Sequence, residues 1–201
     1  AGADGYNVGI GYNAGTAVTT GIRNSLVGGQ SGDALNAGLD NTALGYNSLS
    51  TETSGARSVA VGSEALATQN VGSGTAVYNS ALGYAAGNAV TSGINNTFIG
   101  GRAGLLTTTA SNNTSVGSNS LRANTTGHTN SSFGHDSMRF NTTGAQNVAV
   151  GQQALHNNTT ASDNVAVGFK TLFDNTTGSD NVAVGELALT NNTTAVRNTA
   201  L

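Results

Sequence analysis

The sequence predicts an all-β protein, a parallel β-solenoid (β-roll) built from rungs of 17 residues. Three observations lead to this prediction: an internal repeat, a short alternating segment in each repeat, and a composition rich in Gly, Asn and Thr that contains no Pro. On a helix of about 100° per residue, successive repeats would fall about 100° out of phase, so no helical face would persist. A coil with one repeat per rung instead stacks each position over its equivalent, about 4.8 Å away.

Each repeat begins with Asn, or with Ser in the fourth repeat, and in every full repeat an apolar residue followed by Gly comes three residues later. We call position n of the repeat column n and one repeat a rung. Residues 1–6 form a partial leading turn, and residues 7–201 form a single array of eleven full repeats and a truncated twelfth. The rungs start at Asn7, Asn24, Asn41, Ser58, Asn79, Asn96, Asn113, Asn130, Asn147, Asn164, Asn181 and Asn198. The step from Ser58 to Asn79 is 21 residues, which places a four-residue insertion within 67–78. The periodic pattern reaches both ends, and we expect the chain to be a fragment of a longer chain or a filament subunit.

The columns predict which residues form the interior. Column 5 is Gly in every full repeat, which indicates a backbone corner. Column 4 is always apolar and column 2 is Val, Ser or Thr, so the alternation predicts a strand whose columns 2 and 4 face inward. Column 9 is Leu, Met or Gly and predicts a second inward-facing segment. Columns 12–15, as in residues 124–127, have the composition of a turn. Asn in column 1 predicts an internal ladder that satisfies buried backbone groups.

The composition and charge of the chain argue against several functions. Seven Lys and Arg against ten Asp and Glu give a net charge of −3, which argues against nucleic-acid binding. No run of about 20 apolar residues is present, so no membrane insertion is expected. With no Cys, the chain has neither disulfides nor thiolate metal sites. Like charges stacked in one column would repel by about 0.9 kcal/mol per pair even in water. Column 17 accordingly alternates in sign through Arg23, Asp40 and Arg57.

No catalytic, cofactor or metal site is predicted, and we do not expect an enzyme. The three histidines, His128, His135 and His156, fall in different columns and are interpreted as surface residues. Residues 28–33 are similar to a calcium-binding Gly/Asp repeat, but the motif occurs once, whereas calcium binding needs it in successive turns. Asp163 and Asp180 would stack about 4.8 Å apart, close to the spacing of a retaining glycosidase, but in a polar turn without a cleft.

Two segments carry a resemblance to known repeat arrays. Residues 58–67 read SVAVGSEALA, which resembles the head repeat of YadA-like trimeric autotransporter adhesins. Residues 41–49 read NTALGYNSL and, with the later Asn-Thr-Thr-Gly turns, resemble repeat arrays of phage tail fibres. The resemblance implies a left-handed roll, three chains in register, and an extracellular role in a virion tail fibre or on a bacterial cell surface. The rung is somewhat longer than in the adhesin heads.

Candidate receptor contacts lie in two places. Column 6 carries Tyr12, Tyr46 and Tyr84, together with Phe169, and such aromatic residues either stack on sugar rings or pack between the chains of a trimer. The insertion, with Gly72, Ser73 and Gly74, is a loop that leaves a regular scaffold. We therefore expect a structural and adhesive segment of a homotrimeric fibre, whose receptor would be a cell-surface glycan or protein.

The alternative function is ice binding through Thr ladders. Paired threonines occupy columns 13 and 14 in seven repeats, six of them consecutive from Thr108-Thr109 to Thr193-Thr194. A flat, rigid Thr lattice would suit an ice surface. Asn or Gly beside most pairs indicates a turn rather than a flat face, which favours the fibre interpretation.

Overall fold

The computed structural model describes residues 5–72 and 75–201, and the described residues contain strands, turns and no helix. One residue triplet in each rung forms a strand, and the strands lie in chain order in one twelve-stranded sheet whose neighbours are all parallel. Equivalent columns pair with each other, as in Val165↔Val182. The predicted solenoid of 17-residue rungs is confirmed. The strands are β1 Val8–Ile10, β2 Ser25–Val27, β3 Thr42–Leu44, β4 Val59–Val61, β5 Ser80–Leu82, β6 Thr97–Ile99, β7 Thr114–Val116, β8 Ser131–Phe133, β9 Val148–Val150, β10 Val165–Val167, β11 Val182–Val184 and β12 Thr199–Ala200.

The prediction that columns 2 and 4 of the strands face inward is wrong. Column 3 is buried from Leu26 in β2 to Ala183 in β11, whereas columns 2 and 4 are exposed or half-buried throughout. The interior of a 17-residue turn is narrow, and small side chains such as Ala43 and Ala60 fill it. Strand alternation shows which residues share a face, but it does not show which face is buried.

Columns 3 and 9 share the interior space. Leu49, Leu66, Leu121, Met138, Leu155 and Leu172 of column 9 are fully buried, as predicted. Where a rung has a large residue in column 3, the residue in column 9 is Gly on that rung and on the rung before. The Phe98 ring lies so close to Gly87 that a Cβ there would meet it at 2.7 Å. Leu26 is bracketed in the same way by Gly15 and Gly32. The core volume is therefore balanced between the two columns.

A band of polar residues divides the core into two apolar clusters. One cluster extends from Leu26 to Ala103 and the other from Leu121 to Ala183. Between them, the Ser115 hydroxyl donates to the Ser120 carbonyl at 2.8 Å, and the Ser120 hydroxyl donates to the Ser132 hydroxyl at 2.8 Å. The hydroxyls of Ser115, Ser120 and Ser132 all have partners, so their burial does not carry the cost of an unpaired polar group.

The corners use left-handed backbone. Among the described residues, every non-glycine residue with positive φ lies in column 7, 9 or 17, at φ values from 45° to 63°. Column 5 adopts φ values that L side chains rarely take. At Gly117, with φ of +133°, a Cβ would also meet the Gly134 carbonyl oxygen on the next rung at 2.5 Å. Close approach of successive rungs therefore explains the invariant glycine.

The column 1 ladder is confirmed. The Asn164 side chain donates to Asn147 Oδ1 at 3.1 Å, and the Asn164 backbone N–H donates to the same oxygen at 3.0 Å. Column 12, which the sequence places in a turn, forms a second internal ladder along Asn124, Asn141, Asn158, Asn175 and Asn192.

Candidate functional site

The most extensive candidate surface is the outward face of the sheet. Column 4 presents an apolar side chain on every rung, and Ile10 is 61% exposed, Leu44 47% and Leu82 54%. Column 2 adds Val, Ser and Thr beside it and carries no charge. We call columns 2 and 4 the strand face. Because an apolar stripe of this length is unusual on a monomer, the strand face is the leading candidate for an interaction surface.

Column 17 borders the strand face and carries the predicted alternating charges. Arg23 Nε lies 2.5 Å from Asp40 Oδ1, and Arg57 Nε lies 3.9 Å from Asp40 Oδ2. The hydrogen bond from Arg23 lowers the pKa of the Asp40 carboxyl. The pair therefore stabilises the fold above the ordinary pKa of Asp, and this contribution is lost as the pH falls through the lowered value. Solvent screening keeps it small.

The three predicted tyrosines are exposed. Tyr12 is 77% exposed, Tyr46 56% and Tyr84 52%, and they lie on rungs one, three and five. The Arg102 guanidinium lies 5.8 Å from the centre of the Tyr84 ring. The structure therefore brings these residues into one row along the rod.

The insertion lies between Val71 and Ala76. On its first side, Asn70 keeps its column because its N–H donates to the Thr91 carbonyl at 2.9 Å. On its second side, Ala76 pairs with Ala56 as a parallel bridge. Gly72 is exposed, with φ of 81° and no atom within 4 Å of a Cβ built there. Ser73 and Gly74 lie outside the described residues.

A buried carboxyl group that sequence analysis missed anchors the insertion. Glu52 of column 12 has no exposed surface. Its Oε1 accepts the N–H groups of Ser54 and Gly55 at 3.1 and 2.7 Å, and its Oε2 accepts from Gln69 Nε2 at 3.1 Å and the Val71 N–H at 3.3 Å. Gln69 also donates to Ser58 Oγ at 2.9 Å, so it fills the gap that Ser58 leaves in the column 1 ladder. A charged residue at a column that otherwise holds only apolar, amide or Thr side chains is the sequence signal for this network.

Replacing Glu52 by Gln should loosen the insertion. Either orientation of the amide places its NH₂ against two N–H donors, at a cost of about 1–3 kcal/mol for each unpaired group. We expect faster proteolysis within 67–78 and faster hydrogen exchange at Val71, with the rest of the fold retained. Glu64→Gln on the next rung is the matched control, since Glu64 is half-buried and lies outside this network. Equal proteolysis of both variants would show that Glu52 does not anchor the insertion.

The histidines and aspartates do not form a site. His128 and His135 are exposed, as predicted, whereas the prediction of a surface residue is wrong for His156. His156 is buried because it stacks on Phe173, with ring centres 4.9 Å apart, and meets the edge of Phe140 at 5.0 Å. Asp163 and Asp180 are both exposed. Within residues 5–72 and 75–201, no group of three or more His, Asp or Glu side chains is placed to hold a metal ion.

Comparisons with known proteins give no match. No protein family model, curated protein or solved structure matches this chain. In the part of the chain that the structure describes, no helix has the length and apolar character needed to cross a membrane. The function of this protein is therefore inferred from its surfaces.

Proposed function

We propose that this chain is a structural and adhesive segment of a trimeric extracellular fibre, on a virion tail or a bacterial cell surface, that supports attachment to a host cell or other surface. The observation that carries the proposal is the strand face. An uninterrupted apolar column, lying outside a thin core, gains stability when another chain covers it.

The fibre geometry favours cyclic symmetry. A fibre that attaches something has a proximal end and a distal end, so its chains run in the same direction about one axis. Each chain then turns the same stripe towards that axis, and column 4 of every rung meets its own equivalents. Each side chain covered in this way contributes up to about 1.5 kcal/mol, given that it is already partly buried in one chain. The resemblance to trimeric adhesins and tail fibres supports three copies.

Ice binding is the less favoured alternative. In column 13, the hydroxyl of Thr108 donates to the Thr125 carbonyl at 3.1 Å, and that of Thr125 donates to the Thr142 carbonyl at 3.0 Å. The same bond recurs at Thr142, Thr159 and Thr176. These hydroxyls are held against the backbone of the next rung, which leaves column 14 alone to offer free Thr hydroxyls.

Solution mass is the direct test of this proposal. We expect light scattering to give a discrete mass three times the 19.8 kDa of one chain across a series of concentrations. The series separates a closed trimer, whose mass reaches a plateau, from end-to-end association, whose mass keeps rising. A chain that stays monomeric and folded at high concentration would contradict the fibre proposal and make ice binding the favoured function.

A further inference from the structure

The three tyrosines of column 6 lie on alternate rungs. Tyr12, Tyr46 and Tyr84 are separated by the smaller residues Gly29 and Ser63. Two rungs correspond to about 9.6 Å along the rod. The row therefore presents exposed aromatic rings at a regular spacing, with small side chains between them.

The backbone fixes this spacing. The carbonyl of Tyr12 accepts the N–H of Gln30 at 2.7 Å, the Tyr46 carbonyl accepts the N–H of Glu64 at 2.8 Å, and the Tyr84 carbonyl accepts the N–H of Arg102 at 2.8 Å. The ring of Tyr46 lies against the preceding rung, where a Cβ on Gly29 would meet its Cδ2 at 3.6 Å. Because the hydrogen-bonded ladder fixes the backbone that carries the rings, this backbone does not need to be ordered when a ligand binds, which favours affinity.

A row of planar polar side chains runs beside the rings. Column 7 places Asn13, Gln30, Asn47 and Glu64 next to the tyrosines on the first four rungs, and all four are exposed or half-buried. Amide and carboxyl groups at such positions can donate to and accept from the hydroxyls of a sugar. Over the first six rungs, columns 6 and 7 contain one acidic residue, Glu64, and one basic residue, Arg102. This balance favours an uncharged ligand.

Column 6 does not have the character of a row buried between chains. Column 4 is apolar on every rung, as burial along the whole rod requires. Column 6 changes from tyrosine to Ser118, His135, Gln152 and Glu186 farther along the chain. Burying these polar and ionisable side chains without partners would be costly. We therefore place column 6 outside the strand face, in contact with solvent.

We propose that the tyrosine row binds an extended, uncharged polysaccharide of β-1,4-linked pyranose units, with every second sugar stacked on a tyrosine. In such a chain alternate sugars turn the same face to one side, and the disaccharide repeat is about as long as two rungs. The apolar C–H face of a pyranose packs on an aromatic ring while its hydroxyls reach the column 7 side chains. This inference rests on the proposed adhesive function and names the class of its receptor.

The length of the ligand is the variable to test. Calorimetry with β-1,4-linked gluco- and chito-oligosaccharides of increasing length should show affinity rising in steps. The first step comes when about three sugars reach from one tyrosine to the next, and the second when about five sugars reach the third. An α-1,4-linked glucan of equal length, which follows a helical course, should bind weakly. Absence of binding, or affinity that does not depend on length and linkage, would overturn the inference.

Tyr46→Ala removes the middle ring and provides the second test of the inference. We expect a loss of about tenfold or more for oligosaccharides of three or more sugars, since both neighbouring spans are broken, and a smaller loss for mono- and disaccharides, which contact one ring. Phe169→Ala is the matched control, because it removes an aromatic residue from the same column outside the row, and we expect no change in affinity. An equal loss in both variants would overturn the inference.

Solution mass separates this inference from the trimer proposal. If Tyr46→Ala dissociates the trimer, the tyrosines pack between chains and the inference is wrong, whereas the fibre proposal stands. If the native protein is a monomer that shows the length steps, the inference stands and the trimeric arrangement is wrong.

Discussion

Leu82→Glu is expected to convert the proposed trimer into folded monomers. Leu82 ends β5 in the middle of the strand face and is 54% exposed in the single chain. In one chain a Glu at this position stays in water, so the cost to the monomer fold should be within about 0.5 kcal/mol, as for other surface substitutions. In a trimer, three carboxylates would be brought together at the axis and desolvated, at a cost of several kcal/mol each.

Light scattering measures the association of the chains, and circular dichroism measures the fold of each chain. The mass should fall from three chains to one, while circular dichroism of the variant keeps the β signal. Because protonation removes the charge, the trimer should return as the pH falls below the pKa of the introduced Glu, which burial among like charges would raise. Thr126→Glu adds the same charge at an exposed position of column 14 and should leave the mass unchanged. A Leu82→Glu protein that remains trimeric at neutral pH would exclude the strand face as the interface.

The repeat predicted the fold because the solenoid follows from periodicity. Once equivalent positions stack, the register of every strand pair and the Asn ladder of column 1 are determined. Periodicity does not determine which face of the strands points into the core. Column 4 is the most apolar column, but the narrow interior accepts column 3, and the apolar residues of column 4 remain outside. Apolar residues are frequent on protein surfaces, so apolar character alone does not assign a residue to the interior.

A signal for the correct face was present within the chain. Leu26 and Phe98 are the two large residues of column 3, and each coincides with Gly in column 9 on its own rung and the rung before. Such compensation between two columns indicates that both fill one space. Column 2 shows no such relation to column 9.

The left-handed backbone at non-glycine positions was beyond sequence reasoning. Column 9 is Gly in four rungs, but Leu or Met adopts the same backbone in the others, as at Leu155 with φ of 50°. A non-glycine residue pays about 1–3 kcal/mol for this conformation. The surrounding rungs impose it, since the N–H of Leu155 donates to the Thr171 carbonyl at 3.0 Å. Tertiary hydrogen bonds override the local preference at these positions.

The Asn ladder should be the most sensitive part of the interior to substitution. Asn147 is fully buried, its Oδ1 accepts both donors of Asn164, and its Nδ2 donates to the Ala161 carbonyl at 2.9 Å and to Asn130 Oδ1 at 3.2 Å. Asn147→Ala leaves the Asn164 N–H buried without its acceptor, whereas the Ala161 carbonyl loses one of two donors and keeps the bond from Asn158 Nδ2 at 3.0 Å. At about 1–3 kcal/mol for the unpaired N–H and about 1 kcal/mol for the lost bond to Ala161, we expect the free energy of unfolding to fall by about 2–4 kcal/mol.

Rung four shows how the ladder tolerates a different residue, and this gives a rescue experiment. There Ser58 replaces Asn, and Gln69 in column 12 bridges the gap by donating to Ser58 Oγ and accepting from Asn79 Nδ2, both at 2.9 Å. Asn147→Ser alone lacks this bridge and should be destabilised nearly as much as Asn147→Ala. Asn147→Ser combined with Asn158→Gln reproduces the pair on rung nine, where Asn141 Oδ1 offers the second acceptor, and should recover part of the loss. Urea unfolding at one fixed protein concentration measures all three variants, because association would otherwise shift the midpoint. If the double variant is no more stable than Asn147→Ser, the pairing of columns 1 and 12 does not carry the stability of rung four, and packing of the apolar columns must do so instead.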